Sequence, residues 1–257
     1  MLLSFALKYN NGMHSYFLSD LHLSPEHPEI SAAFIQFLTS QAPSADKVYI
    51  LGDLFEYWIG DDATQIIGAD PILDAMKLLS EKTPCYFVAG NRDFLVRQGF
   101  SELSGFKILP DETVIDLYGS PTLILHGDSL CTDDIKHQQF RENFVLNKMV
   151  CDLLLTKPLH ERLALAQKAR SKSQSNNGQM NENIMDVTEA ATIKAFKTNN
   201  VQQMIHGHTH RQNVHTHDIN GVRATRDVLG EWHRSSSILT VRPTNIQIDN
   251  LEIKTSY

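Results

Sequence analysis

A chain of 257 residues, 42% apolar and 21% charged, suits one large α/β domain of ordinary globular composition. Its formal charge of −7 argues against a general nucleic-acid binder, which would be basic. Cys85, Cys131 and Cys151 are scattered and form no CxxC pair, which excludes a disulfide framework and reads as reduced, buried thiols. No stretch approaches the ~18 consecutive apolar residues of a membrane span. The opening Met-Leu-Leu-Ser-Phe-Ala-Leu-Lys is too short for a signal peptide and lacks its basic leader. Met13, just ahead of the first apolar run, is an alternative start that would leave the first twelve residues as a tail.

The first half repeats one theme of apolar strand, polar loop and helix. A strand at His14–Ser19 feeds Asp20 and His22, and a helix follows at Pro28–Ser40. Val48–Leu51 feeds Asp53 ahead of a helix at Pro71–Glu81, and Cys85–Ala89 feeds Asn91 and Arg92 ahead of a shorter helix near Phe94–Leu103. Such alternation predicts βαβ units with parallel strands, whose ligands sit beyond the carboxyl ends. Strands are then expected at Val114–Leu117, Thr122–Leu125 and Gln202–Ile205, with three more between Val222 and Ile253. Between them, residues 132–186 form a helical insertion, broken by Pro158 and ending in a polar run, Ser171–Asn183, that reads as a loop.

Nearly every chemically useful side chain follows directly on an apolar run: Asp20, His22, Asp53, Asn91, His126, His208 and His210. Oxygen and imidazole donors of this kind, without cysteine, suit two borderline divalent ions such as Mn²⁺ held a few ångström apart. In Asp20-Leu-His22 the spacing puts both side chains on one ion if the backbone is extended. Asp53 is the candidate bridge, because a carboxylate has two oxygens to share. Asn91, His126 and His208 fall to the second ion and His210 to the first. Glycines 52, 90, 127 and 207 would let the backbone approach closely or adopt positive φ. His206 reads as a structural residue at a strand end. His14, His27, His137, His160, His215 and His217 read as surface or packing residues; so does His233, with an outer support for the site as its lesser alternative.

The order Asp-x-His, Gly-Asp, Gly-Asn-Arg, His, Gly-His-x-His resembles the calcineurin-like metallophosphoesterases. Arg92, where many members carry His, together with Tyr49–Asp62, Leu130–Asp134, Ile184–Val187, Ile205–Arg211 and Val228–His233, is similar to a narrower group, the UDP-2,3-diacylglucosamine hydrolases of lipid A biosynthesis. The resemblance covers nearly everything from Met13 on. It implies a single metallophosphoesterase domain, two mixed β-sheets flanked by helices, with residues 132–186 as a helical lid. It implies two Mn²⁺ ions and a metal-activated hydroxide that attacks phosphorus to release UMP and 2,3-diacylglucosamine 1-phosphate. Asp53, Asn91, Arg92 and His208 would be catalytic. Asn91, Arg92, Asp134, Ser173, Asn177 and His208 would contact the substrate. The group has a lysine three residues after that asparagine where this chain has Met180, which leaves the loop's cationic contact open, with Lys172 as a candidate.

A charged head with two acyl chains needs a greasy groove beside a cationic rim. Phe140, Phe144, Val145, Met149, Leu153 and Leu154 recur near helical spacing, and eight of the 23 basic residues lie between Lys136 and Lys172. The expected partners are therefore the lipid-linked nucleotide sugar and the cytoplasmic face of the bacterial inner membrane, with peripheral attachment and neither nucleic acid nor an obligatory protein partner. The competing readings are a generic nucleotide pyrophosphatase or phosphodiesterase, which would not need the insertion, and a non-catalytic scaffold, which would be expected to have lost ligands.

Overall fold

The computed structural model describes residues 12–177 and 186–253. Three short apolar strands, β1 (Ser15–Leu18), β2 (Lys47–Leu51) and β3 (Cys85–Val88), pair in parallel as the βαβ pattern requires. Their connections are helices α1 (Pro28–Ser40) and α2 (Asp70–Ser80), each with a proline in the first turn, where no intrahelical N–H partner is missed. Helix α3 (Gln98–Ser104) starts later than its apolar pattern predicts, because the Arg97 amide before it is held by the Asp61 side chain. It leads to β4 (Lys107–Leu109), which the sequence reading missed.

The second sheet opens with the hairpin of β5 (Glu112–Leu117) and β6 (Ser120–Leu125) and continues with β7 (Gln203–His206), parallel to β6. Another hairpin follows, β8 (Asn213–Ile219) and β9 (Val222–Val228). Strand β8 was not expected. Its signal was Asn220-Gly221, whose φ values of 57° and 82° suit a two-residue hairpin turn. Strands β10 (Ile238–Arg242) and β11 (Asn245–Asp249) return to the first sheet. The orders are β11-β10-β1-β2-β3-β4 and β5-β6-β7-β9-β8.

Alternation along each strand makes the sandwich. Phe17, Tyr49, Leu51 and Val88 face Leu117, Ile124, Ile205 and Leu229 across the two sheets. Their neighbours Leu18, Val48, Ile50 and Phe87 point the other way, against Phe34, Met76 and Phe100 of the helices. Helix α7 (Glu189–Asn199) covers the outer face of the second sheet through Ala195 and Phe196. All three cysteines are buried.

The insertion is helical, as expected. It comprises α4 (Ile135–Phe140), a π-turn at Arg141–Val145, α5 (Lys148–Leu155) and α6 (Leu159–Asn177), which begins directly after Pro158. Helix α6 corrects one expectation: the polar run predicted as a loop is helical as far as Asn177. Its lysine, arginine and glutamine residues are good helix formers, but being polar on every side they carry no periodic signal. The π-turn also splits the predicted apolar stripe. Leu154 packs on the core, whereas Met149 and Leu153 are 79% and 63% exposed. Among the described residues, no helix is long and apolar enough to cross a membrane.

Candidate metal centre

Five strands, three parallel in the first sheet and two parallel in the second, end at one place. Asp20 and His22 follow β1, Asp53 follows β2, Asn91 follows β3, His126 follows β6, and His208 and His210 follow β7. Main-chain bonds weld these loops together. The amides of Asp20 and His22 donate to the Gly52 and Asp53 carbonyls (both 3.1 Å), that of Gly207 to His126 (2.8 Å), and that of Trp232 to Asp20 (3.0 Å). Gly52, at φ 85°, lies so close to Gly90 that a Cβ would stand 2.7 Å from the Gly90 Cα. Gly127 is also at positive φ; Gly90 and Gly207 are not, and serve only close approach, against Asp53 and against Ser19 and Asp20.

The extended backbone expected around Asp20 and His22 is absent. Asp20, His22, Asp53, His208 and His210 all have left-handed φ, between 49° and 69°. Such residues cost roughly 1–3 kcal/mol each and persist where surrounding structure enforces them. Here the turn, not the pleat, brings the side chains together.

Asp20, His22 and His210 offer ligand atoms within 4.8 Å of one another, as do Asp20, Asp53 and His126. The His22 and His210 Nε2 atoms are 3.4 Å apart, and His126 Nε2 lies 3.2 Å from His208 Nδ1 and 3.1 Å from Asn91 Oδ1. All seven predicted ligands therefore converge. Asp53 Oδ1 accepts from the Arg92 amide (2.9 Å) and lies 3.6 Å from His126, while the Arg92 Nε is 4.0 Å from Oδ2. Asp134 caps α4, accepting from the His137 amide at 2.9 Å. The side chains of Ser173, Asn177 and Lys172, and residue Met180, lie outside the described residues.

The electrostatics call for a cation. Asp20 is fully buried, its Oδ1 lacks a hydrogen bond, and neighbouring histidines hold it well below the usual carboxylate range against the pull of burial. Burial opposes charge on His210 and His126, yet Asp20 raises the first to about 10 and Asp53 the second to about 9. Burial instead lowers His22 to about 4. Carboxylates that can charge buried imidazoles have the donor set and the field to hold divalent ions in their place.

Several contributors carried no sequence signal. Buried Asp93 accepts from the amides of Gly90 (2.6 Å), Leu54 (2.8 Å) and Asp53 (3.3 Å), fixing the loop that presents Asp53. His137, expected only at the surface or in packing, is half-buried, with its ring 5.0 Å from that of His208 and Nε2 3.6 Å from buried Asp128. His233 is exposed against His27. The outer support falls to Glu231, two residues earlier, at 2.8 Å from His210 Nδ1.

His206 is structural, as predicted. It bonds the Gly207 carbonyl (2.8 Å) and accepts from Arg226 (2.9 Å), and burial lowers its pKa to about 3. A folded pKa below the unfolded value near 6.5 means that only the unfolded chain takes up this proton between those limits. Stability from this group is therefore complete above pH 6.5 and falls by up to about 1.4 kcal/mol per pH unit below it. Urea midpoints from pH 7 to pH 5 should decline accordingly, and His206→Gln should flatten that slope.

The calcineurin-like phosphoesterase family model matches residues 13–212. The chain belongs to that family. The phosphoesterase is 46% identical over 247 residues to a UDP-2,3-diacylglucosamine hydrolase of Stenotrophomonas maltophilia (strain R551-3), covering 93% of this chain and 99% of the relative. A UDP-2,3-diacylglucosamine hydrolase of Yersinia pseudotuberculosis serotype O:1b (strain IP 31758) is 46% identical over 236 residues, covering 92% and 98%. A solved dimetal phosphatase from Danio rerio aligns with 95% of this chain and 99% of its own, at 12% identity and TM-score 0.47.

Proposed function

We propose that this phosphoesterase hydrolyses the pyrophosphate bond of UDP-2,3-diacylglucosamine to UMP and 2,3-diacylglucosamine 1-phosphate, a step of lipid A biosynthesis. The observation that carries this is 46% identity to hydrolases of that name over nearly the full length of both chains, the insertion included. The centre would hold two Mn²⁺ ions, one by Asp20, His22 and His210 and the other by Asn91, His126 and His208. Asp53 is assigned as the bridge: its charge acts on both His22 and His126, as that of Asp20 also does. Asp20 is the alternative, but its Oδ2 is already taken by the His208 amide (2.9 Å) and the Ser19 hydroxyl. Divalent ions there lower the pKa of water and polarise phosphoryl oxygens.

The chain's own residues supply the rest. Arg92, with Nε free of any hydrogen bond, turns its guanidinium to the charge on the phosphoryl oxygens, and Asn91 and His208 orient the same group. The leaving group is itself a phosphate ester, so it departs without a dedicated acid. Phe94, Phe140 and Phe144 form an aromatic file, with centroids 6.0 and 5.4 Å apart. Later in the insertion Leu146, Met149 and Leu153 are exposed, which suits acyl chains and peripheral attachment to the cytoplasmic side of the inner membrane.

The test is direct. Purified protein with Mn²⁺ should release UMP from UDP-2,3-diacylglucosamine, read by chromatography, far faster than it cleaves UDP-glucose. Equal rates on both would favour a generic nucleotide pyrophosphatase instead.

A further inference from the structure

The two halves of the centre are supported in different ways from outside. His126 is fixed by main chain, its Nδ1 2.9 Å from the Leu51 carbonyl. The two histidines beside Asp20 are backed by carboxylates. His210 turns Nε2 toward Asp20 at 3.4 Å and Nδ1 toward Glu231 at 2.8 Å. His22 turns Nε2 inward to His210 and places Nδ1 3.5 Å from Glu56 Oε2. The other oxygen of Glu56 meets Arg170 of helix α6. One carboxylate is thus dedicated to its imidazole, and the other is shared with the insertion.

A carboxylate on the outer nitrogen of a ligating imidazole fixes the tautomer, holds the ring in place and makes the inner nitrogen a stronger donor. Glu56 divides its charge between His22 and a guanidinium, so it gives this support only in part. Arg170 also brings positive charge toward the ions.

We propose that Glu231 and Glu56 are positioning residues for the ion held by Asp20, His22 and His210, and that Arg170, through Glu56, makes the affinity for that ion depend on the seating of helix α6. This rests on the two-ion reading above.

Equilibrium dialysis of the full-length protein against Mn²⁺, with electron paramagnetic resonance to separate paired from single ions, tests it. Wild type should bind two ions. Glu231→Ala should weaken one of them about 10- to 100-fold and leave the other unchanged, so that single-ion spectra replace paired ones at intermediate Mn²⁺. Glu231→Gln, which keeps an acceptor for Nδ1–H, should recover part of that loss. Glu56→Ala should weaken the same ion, and Arg170→Ala should tighten it several-fold by releasing Glu56. Unchanged affinities in Glu231→Ala and Glu56→Ala, or equal weakening of both ions, would overturn the positioning role. Arg170→Ala without effect or with weaker binding would overturn the link to the helix. Fewer than two ions in wild type would instead remove the two-ion reading itself.

Discussion

Asp53→Asn should lower kcat/KM on UDP-2,3-diacylglucosamine by about three orders of magnitude or more, with the fold intact. The variant is chosen for its backbone. Asp53 sits at φ 52°, a conformation that asparagine tolerates and alanine does not. An asparagine also keeps the shape and an oxygen for the Arg92 amide, which now donates to Oδ1 at 2.9 Å. What it removes is the negative charge that acts on His22 from one side and His126 from the other. A single bridging charge contributes several kcal/mol to holding two cations and stabilising the transition state, and each 1.4 kcal/mol is a factor of ten in rate. Steady-state kinetics should be paired with metal content and a melting curve. Activity within tenfold of wild type would contradict the role given to Asp53. A large fall in melting temperature would make the loss a folding effect.

The parallel half of the fold was legible because its strands are buried on both faces and read as unbroken apolar runs, each followed by the residue that matters. Asp20, Asp53, Asn91, His126 and His208 could be found that way because the chemistry sits where the strands stop. Edge elements escaped. Strand β4 has three residues, and β8 alternates Val214 and Thr216 with histidines, so neither offers an apolar run. The outer layer of the site was illegible for a different reason. Glu56, Asp93 and Glu231 are ordinary acids in the sequence, and only tertiary placement sets them against His22, the Asp53 loop and His210. The geometry of Asp20-Leu-His22 was also misjudged, since two-residue spacing suggests a pleat while the chain makes a left-handed turn.

The motif Gly52–Asp62 explains the second large effect, because its far end serves the insertion and not the ions. Trp58 is buried, and its indole N–H donates to Asp61 at 2.9 Å. Asp62 receives both terminal nitrogens of Arg162 from helix α6, at 2.8 and 2.5 Å. The same guanidinium donates to the Ile59 and Lys157 carbonyls, at 2.7 and 3.0 Å. Gly60 lets it in, since any Cβ there would collide with Nη1. Arg162 is only 5% exposed, and Leu155, Leu159 and Leu163 pack beside it on the core. A planar fork held at four points sets both the position and the rotation of α6.

Arg162→Ala should therefore let the helix shift, and at saturating Mn²⁺ the change in ion affinity passed on through Arg170 and Glu56 is not felt at the centre. Displacements of about 1 Å in a substrate-positioning element can cost about 100-fold in rate. The expected result is a fall of that size in kcat/KM for the diacylated substrate, with hydrolysis of bis(4-nitrophenyl) phosphate within about threefold of wild type. Lysine at 162 should rescue poorly, because a point charge cannot reproduce the fork. Parallel losses on both substrates would mean that the insertion supports the metal centre as a whole, not the seat of the acyl chains.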